Sequence, residues 1–193
     1  RRDAEGRESV FIDPNLLSED GTTSMLGIAF SKSGELAAYQ VSEGGADWRS
    51  VEVIDTDTLR VIDRIENVKF SGLSWYADDG FYYSSYDEPK GSELTAKTDR
   101  HKLYYHRIGE DQAEDQLIFG ARDEEKHRYV SGYVTEDEYF LVIDASNTTS
   151  GNKLFMKDLR RADQPLQTIV REDSGDIRVL YSNQDEIYAY TNL

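Results

Sequence analysis

The stretch from Glu66 to Asp87 reads ENVKFSGLSWYADDGFYYSSYD, and it decides the fold class of the chain. An apolar and aromatic segment runs into an Asp-Asp-Gly turn at residues 78–80 and returns as a second aromatic segment that ends at Tyr86. An Asp-Gly turn between two such segments predicts a strand, a tight hairpin and a second strand. We therefore expect this stretch to form half of a small antiparallel sheet.

The same pattern returns along the chain, at positions that we take as equivalent: Phe30, Trp75, Val134 and Tyr181. They are separated by 45, 59 and 47 residues, and the longest interval includes a polar, turn-rich insertion at residues 87–100 that we expect to be an exposed loop. A repeat of about 45 residues with about four strands per unit is typical of propeller blades. Helical repeats of similar length would show a helical apolar period, which this chain lacks.

The sequence thus predicts an all-β fold, a β-propeller of about four four-stranded antiparallel blades. We place the blades at about residues 24–65, 66–122, 123–172 and 173–193, with the last one incomplete. A short strand is expected before them at Val10 to Ile12. A β-sandwich of short strands is the alternative architecture.

Charge and composition exclude several classes of function. The chain has 193 residues, with 38 acidic and 22 basic side chains and a formal net charge of −16. Such a charge repels phosphate backbones and anionic lipids, so we expect neither nucleic acid nor a membrane surface as partner. The absence of cysteine excludes disulfides and thiol catalysis. Without a membrane-spanning run or a signal-like N-terminus, we expect a cytoplasmic protein, with the periplasm as the alternative location.

The histidines offer no metal site in the sequence. His101 and His106 flank one predicted strand and face opposite sides of it, so they do not form a simple two-ligand site. We expect these two residues and His127 to be solvated or hydrogen-bonded. No metal and no cofactor is predicted.

Motifs for catalysis are equally scarce. The sequence has no Gly-x-Ser-x-Gly, no HExxH and no phosphate-binding glycine loop. Acidic pairs occur at Asp55 with Asp57 and at Asp78 with Asp79, but aspartates at such positions are expected to cap turns. Nothing else supports a paired-carboxylate glycosidase.

Five segments resemble the propeller of the prolyl oligopeptidase family, and they follow one another in the order and with the spacing that the family shows. They are DPNLLSEDGT (13–22), AFSKSGELAAY (29–39), GGADWRSVEVID (44–55), VKFSGLSW (68–75) and HKLYYHRIGEDQAEDQLIF (101–119). The likeness continues more weakly towards the C-terminus. It implies part of a seven-bladed propeller that covers an α/β-hydrolase peptidase domain, in which a Ser-Asp-His triad cleaves short peptides after proline. The propeller would keep large folded substrates out.

The resemblance also implies roles for three side chains. Phe70 matches a position whose ring approaches the substrate, with plain blade core as the alternative. Asp47 and Trp48 match the interface with the peptidase domain, where the carboxylate would pair with an arginine; a turn cap is the alternative. In the third blade, Asp144 follows Ile143 where mammalian members have a substrate-facing arginine, so we expect no such contact there.

The expected function is that of a non-catalytic propeller segment of a prolyl-specific serine endopeptidase, inactive alone because none of the triad lies in it. Its partners would be short proline-containing peptides, together with a peptidase domain. Bare apolar faces on the first and last blades would favour a homodimer of this chain. Two other functions remain open: a stand-alone propeller that binds proteins or peptides, and a complete small enzyme on a propeller scaffold. The unfinished fourth unit argues against the stand-alone propeller, and the missing acid/base pair argues against the small enzyme.

Overall fold

The protein forms four antiparallel sheets in succession along the chain. The computed structural model describes residues 4–87, 98–184 and 186–192, so most of the insertion at residues 87–100 lies outside the described residues. Three sheets have four strands and the last has two. Within these ranges no helix is long and apolar enough to cross a membrane.

In each sheet the spatial order of the strands follows the order of the chain. Sheet 1 contains β1 (Thr23–Phe30), β2 (Leu36–Glu43), β3 (Trp48–Asp55) and β4 (Val61–Lys69). Sheet 2 contains β5 (Leu73–Tyr76), β6 (Gly80–Ser85), β7 (Lys102–Arg107) and β8 (Gln116–Phe119). Sheet 3 contains β9 (Tyr129–Val134), β10 (Phe140–Ser146), β11 (Lys153–Asp158) and β12 (Gln167–Val170). Sheet 4 is the hairpin of β13 (Ile177–Asn183) and β14 (Glu186–Thr191).

The stretch from Glu66 to Asp87 joins two sheets. Its first residues complete β4, residues 70–72 cross to the next sheet, and β5 and β6 form the predicted hairpin, with Leu73 opposite Tyr83. Glycine is required at Gly80, because a Cβ there would lie 2.2 Å from the carbonyl oxygen of His106. The Asp-Asp-Gly signal thus marks a point where β6 and β7 approach closely.

The sheets pack face to face around their first strands, since β1 contacts β5 and β5 contacts β9. Separate apolar clusters fill the spaces between successive sheets, centred on Phe81 between sheets 1 and 2, on Leu103 between sheets 2 and 3, and on Val142 between sheets 3 and 4. Blades stacked around an axis produce this arrangement. The prediction of an all-β, incomplete propeller is confirmed.

Each sheet has two different ends. Segments 70–72 and 120–128 pass from one sheet to the next at one end, called here the crossover end, where the turn at residues 44–47 also lies. Turns such as those at residues 31–35 and 77–79 lie at the opposite end, called the hairpin end.

The strand expected at Val10 to Ile12 does not form. Phe11 and Ile12 instead pack their side chains on the face of sheet 1 that points away from sheet 2, against Tyr39 and its neighbours. A 3-10 turn begins at Pro14, capped by Asp13, and it ends the extended segment. The apolar run therefore reflects side-chain packing and not strand pairing.

Candidate functional site

The three predicted site residues lie together at the crossover end of sheet 1. β3 pairs with β4 so that Trp48 stands opposite Lys69, and this register places Asp47 and Phe70 side by side at the ends of the two strands. Phe70 is 44% exposed and the Asp47 side chain 64% exposed, so both reach the surface. The structure thus groups an aromatic ring, an indole and a carboxylate on one face.

Lys69 links these residues, a role that no motif in the sequence indicates. Its side chain is only 9% exposed, and its Nζ lies 5.2 Å from the centre of the Trp48 ring and 5.1 Å from that of Phe70. Asp47 Oδ2 lies 3.5 Å from the same ammonium group. A desolvated cation over an aromatic face contributes about 2 kcal/mol. Lys69 therefore binds the two rings and the carboxylate into one cluster.

The backbone that carries Phe70 is strained and is held by neighbouring side chains. Phe70 has φ 54°, in the left-handed region, which costs roughly 1–3 kcal/mol for a residue other than glycine. Gln40 Nε2 donates to the carbonyl of Ser71 at 2.9 Å, and Ser71 Oγ accepts from the amide of Ser84 at 2.7 Å. The hydroxyl of Ser85 donates to the carbonyl of Asn67. Side chains from sheets 1 and 2 thus fix the crossover on both sides of Phe70.

His101 supplies a fourth attachment. It is fully buried just before β7; its Nδ1 accepts from the amide of Val130 at 2.9 Å and its Nε2 lies 2.9 Å from the carbonyl of Lys69. An amide only donates and a carbonyl only accepts, so the ring is neutral with its proton on Nε2. Burial lowers the pKa of His101 to about 4, which agrees with the neutral form. This ring connects sheets 1, 2 and 3.

Tyr86 lies between His101 and Phe70. Its ring stacks on His101 with centroids 4.3 Å apart and meets Phe70 edge-on at 6.3 Å. Its hydroxyl donates to the carbonyl of Arg128 at 2.5 Å, in the crossover that leads to sheet 3. Such edge-on and stacked pairs are favourable arrangements for aromatic rings. At the crossover end, His101, Tyr86 and Phe70 therefore form a continuous row of rings that ends at the exposed Phe70.

His106 forms a different site at the hairpin end. Its Nδ1 lies 2.7 Å from Asp115 Oδ1 and its Nε2 lies 3.2 Å from Asp63 Oδ2. Burial opposes a charge on this ring, but the hydrogen bonds and charges of Asp115 and Asp63 raise the pKa of His106 above its ordinary value. Asp63 belongs to β4 and His106 to β7, so this ion pair joins sheets 1 and 2.

The remaining candidates have structural partners. Asp55 Oδ1 accepts from the amides of Asp57 and Thr58 at 3.1 and 2.7 Å, as a turn cap does. Asp78 Oδ1 accepts from the amide and the hydroxyl of Ser33 and so joins the turns of two sheets. His127 is also buried, and its Nδ1 lies 2.9 Å from the carbonyl of Glu125. The histidines are therefore hydrogen-bonded, as predicted, but none is solvated.

Asp144 takes the position at which mammalian members of the resembled family have a substrate-facing arginine. It lies at the interface of sheets 3 and 4. Burial raises the pKa of Asp144 to about 6, although the charge of Arg178 and a hydrogen bond from Asn152 act in the opposite direction. Asn152 Nδ2 donates to Asp144 Oδ1 at 2.7 Å, and the same amide bonds both backbone groups of Ile177. This carboxylate therefore helps to hold two sheets together.

The hydrogen bonds of the described residues show no nucleophile paired with a histidine base. In residues 4–87, 98–184 and 186–192, no histidine ring is hydrogen-bonded to a serine or threonine hydroxyl. The same residues contain no cluster of three or more acidic or histidine side chains placed to hold a metal ion. An exposed, rigidly held aromatic ring can line an apolar binding surface, whereas acyl transfer needs a nucleophile and a base.

Comparison with a collection of protein families gives one match, to the family described as prolyl oligopeptidase, N-terminal beta-propeller domain, over residues 1–193. Among curated proteins, the prolyl endopeptidase of Elizabethkingia meningoseptica is 45% identical over 194 residues, which cover 100% of this chain and 27% of that protein. The prolyl oligopeptidase ophP of Omphalotus olearius is 36% identical over 163 residues, which cover 75% of this chain and 21% of that protein. The chain thus spans about a quarter of the length of such relatives.

Solved structures give the same result. Prolyl oligopeptidase B from Galerina marginata, bound to a 35mer hydrolysis and macrocyclization substrate, superposes with a TM-score of 0.84 and 27% identity, over 96% of this chain and 28% of that one. A structure from a mechanistic study of two prolyl endopeptidases superposes with a TM-score of 0.83 and 26% identity, over 95% of this chain and 26% of that one.

Proposed function

The chain belongs to the prolyl oligopeptidase family, as part of its N-terminal β-propeller domain, and from this we propose that it is the substrate-gating segment of a serine endopeptidase that cleaves short peptides after proline. The peptidase chemistry would reside in a domain outside these residues. A ring of blades over that domain would admit peptides and exclude folded proteins. The family match over the whole chain supports the propeller role, and the crossover end supports the contact with peptide.

One observation carries the proposal for peptide contact: Phe70 is 44% exposed although its backbone is strained and firmly held. An exposed aromatic ring that its neighbours hold in one orientation offers a preformed apolar contact for a ligand side chain. Lys69 and Tyr86 fix the orientation of the ring from two sides. We assign Phe70 to the binding of an apolar side chain of the peptide.

Asp47 and Trp48 would form part of the boundary with the peptidase domain. The Asp47 carboxylate is mostly exposed, and its Oδ2 lies 3.5 Å from the Lys69 ammonium. The indole Nε1 of Trp48 is buried and has no hydrogen-bond partner among the described residues. The exposed Asp47 carboxylate at this edge suits a partner surface that carries an arginine.

The test uses the longer protein that contains this chain. Phe70→Ala should raise the KM of a long proline-containing reporter peptide about five- to a hundred-fold while kcat stays within about two-fold, because a lost apolar wall weakens ground and transition states alike. A short blocked reporter with one residue before proline should respond little. The isolated chain serves as the blank and should show no turnover.

Unchanged KM values for both reporters, with a lowered melting temperature, would assign Phe70 to blade packing. Turnover by the isolated chain that a serine-reactive phosphonate blocks would contradict the non-catalytic role. These two results are independent, so the gating role and the role of Phe70 are tested separately.

We also propose that the chain prepared by itself forms a homodimer. The last sheet exposes large apolar side chains, namely Leu180, Tyr181, Tyr188 and Tyr190. Covering them would stabilise a dimer, and the acidic surface would oppose it less as salt screens the repulsion. Light scattering should show association that increases with salt; a monodisperse monomer at physiological salt would contradict it.

A further inference from the structure

We infer that His101 is a positioning residue for peptide binding, which acts by holding the peptide unit between Lys69 and Phe70. This inference rests on the proposed function of Phe70 and assigns the device that keeps its ring in place. His101 lies outside the predicted site and would not touch the peptide, since its side chain is fully buried.

The first step of the argument is geometric. The carbonyl of Lys69 belongs to the peptide plane whose nitrogen is that of Phe70, and His101 Nε2 binds this carbonyl at 2.9 Å. Fixing the plane restricts rotation at the residue that follows it. Phe70 has φ 54°, a conformation that non-glycine residues adopt only when surrounding contacts impose it. The hydrogen bond from His101 is such a contact.

The second step concerns the anchoring of His101 itself. Its Nδ1 accepts from the amide of Val130 in β9, and its own backbone amide donates to the carbonyl of His127 at 2.8 Å. The crossover from sheet 2 to sheet 3 therefore holds the ring that holds Lys69. Gly120 passes so close that a Cβ there would lie 2.9 Å from the carbonyl oxygen of His101. The backbone of His101 therefore has little room to move.

The third step connects the ring to the exposed surface. Tyr86 stacks on His101 and meets Phe70 edge-on, so the imidazole supports both the backbone and the side chain of Phe70. Removal of His101 would loosen Phe70 in two ways, through the freed carbonyl and through the unsupported Tyr86 ring. Because a binding wall must be preorganised to contribute fully, this loosening should weaken peptide binding.

The experiment compares three variants in the longer protein. His101→Leu removes both ring hydrogen bonds, His101→Gln offers one donor and one acceptor in their place, and His127→Leu is a matched control that removes a buried histidine without freeing the Lys69 carbonyl. His101→Leu should raise the KM of the long reporter about three- to ten-fold with kcat within about two-fold. His101→Gln should recover most of this loss, and the control should remain near wild type.

A second readout does not require activity. The amide of Ser84 donates to Ser71 Oγ, so its hydrogen exchange should become at least about ten-fold faster in His101→Leu and remain unchanged in His127→Leu. In a Phe70→Ala background, His101→Leu should raise KM no further, because the positioned ring is already gone.

The outcomes separate the two proposals. Equal KM and exchange effects for His101→Leu and His127→Leu would overturn the positioning role. A normal KM in Phe70→Ala would remove the proposed role of Phe70, and with it the binding consequence of His101, whatever the exchange shows. If His101→Leu does not fold, His101→Asn decides, because its shorter amide can accept from Val130 but does not reach the Lys69 carbonyl. A raised KM with faster exchange supports the inference, and wild-type values for both overturn it.

Discussion

His101 and His106 lie at opposite ends of β7, and both side chains are fully buried. His101 bonds the amide of Val130 and the carbonyl of Lys69, and burial lowers its pKa to about 4. His106 lies between two carboxylates, which outweigh burial and raise its pKa. Equal burial thus accompanies pKa shifts in opposite directions, because the hydrogen-bond partners decide which form of the ring is stabilised.

The difference matches what each end of the sheets does. At the hairpin end, a buried ion pair joins sheets 1 and 2. Loss of one partner would leave the other buried charge uncompensated. The crossover end presents Phe70 beside the ammonium group of Lys69, at 5.1 Å from the ring centre. A second cation in this region would disturb that cluster, and the backbone partners of His101 prevent it. A charged imidazole is thus avoided next to the Lys69 ammonium, at the end that is proposed to bind peptide.

The largest effect is expected when the ion pair is broken. Asp115→Asn removes the charge next to His106 and replaces the acceptor of both His106 Nδ1 and the Tyr83 hydroxyl. Loss of one partner of a buried pair costs about 3–5 kcal/mol. Equilibrium unfolding of the chain in urea at pH 6 measures this loss.

The control is Glu110→Gln at the same end, which removes an exposed carboxylate 3.6 Å from Arg107. Surface pairs contribute about 0–1 kcal/mol, so this variant should unfold close to wild type. If Asp115→Asn is no less stable than Glu110→Gln, charge does not hold His106 and the contrast between the two histidines fails.

The second prediction concerns pH. His101 has a folded pKa of about 4, below the value of about 6.5 expected when unfolded, so the unfolded chain binds more protons between these values. Stability from this site is therefore complete above about pH 6.5 and is lost as the pH falls towards 4, by about 3 kcal/mol in total. His101→Gln does not titrate and should lose about that much less than wild type on acidification, in urea unfolding series.

His106→Gln tests a pH dependence of stability that has the opposite sign. Because the folded pKa of His106 is raised, its contribution is complete below its unfolded pKa and is lost as the pH rises through the folded pKa. Removing the imidazole should therefore flatten the alkaline side of the stability curve. Parallel curves for His101→Gln and wild type between pH 6.5 and 4 would show that the His101 ring is not held neutral.

Local signals predicted the fold well. The Asp-Asp-Gly turn gave the β5–β6 hairpin, and the spacing of equivalent strands gave the succession of sheets. The same local logic failed at Val10 to Ile12, where an apolar run packs its side chains without pairing its backbone. Strand identity depends on a partner, and the sequence near these residues does not specify one.

The site was only partly predictable, because its contacts are long-range. Phe70 was found through resemblance, whereas a lysine such as Lys69 at a strand end is ordinarily expected in solvent. Its burial depends on the register that brings Trp48 opposite it. The charge states of His101 and His106 depend on Val130 and Asp63, which lie in other sheets. No spacing within β7 indicates these partners.

The smallest effect sharpens the comparison with two matched tyrosines. Both are buried, and each donates one hydrogen bond: Tyr83 to Asp115 Oδ2 at 2.7 Å and Tyr86 to the carbonyl of Arg128 at 2.5 Å. Phenylalanine keeps the stacked ring contact at each position, which Tyr83 makes with Tyr104 and Tyr86 makes with His101. Tyr83→Phe should cost about 1.5–3 kcal/mol because its acceptor is charged, and Tyr86→Phe about 0.5–1.5 kcal/mol because its acceptor is neutral.

The excess cost of Tyr83→Phe should depend on the carboxylate. In an Asp115→Asn background, the further loss caused by Tyr83→Phe should fall to the level of Tyr86→Phe, since contacting residues that share a charged group are coupled and residues far from it are not. The loss caused by Tyr86→Phe should be the same in both backgrounds. Urea unfolding at one pH measures both losses in the wild-type chain. Equal losses for the two tyrosines would mean that the hairpin end is not held by a charged acceptor. The contrast between the carboxylate partners of His106 and the backbone partners of His101 would then not stand.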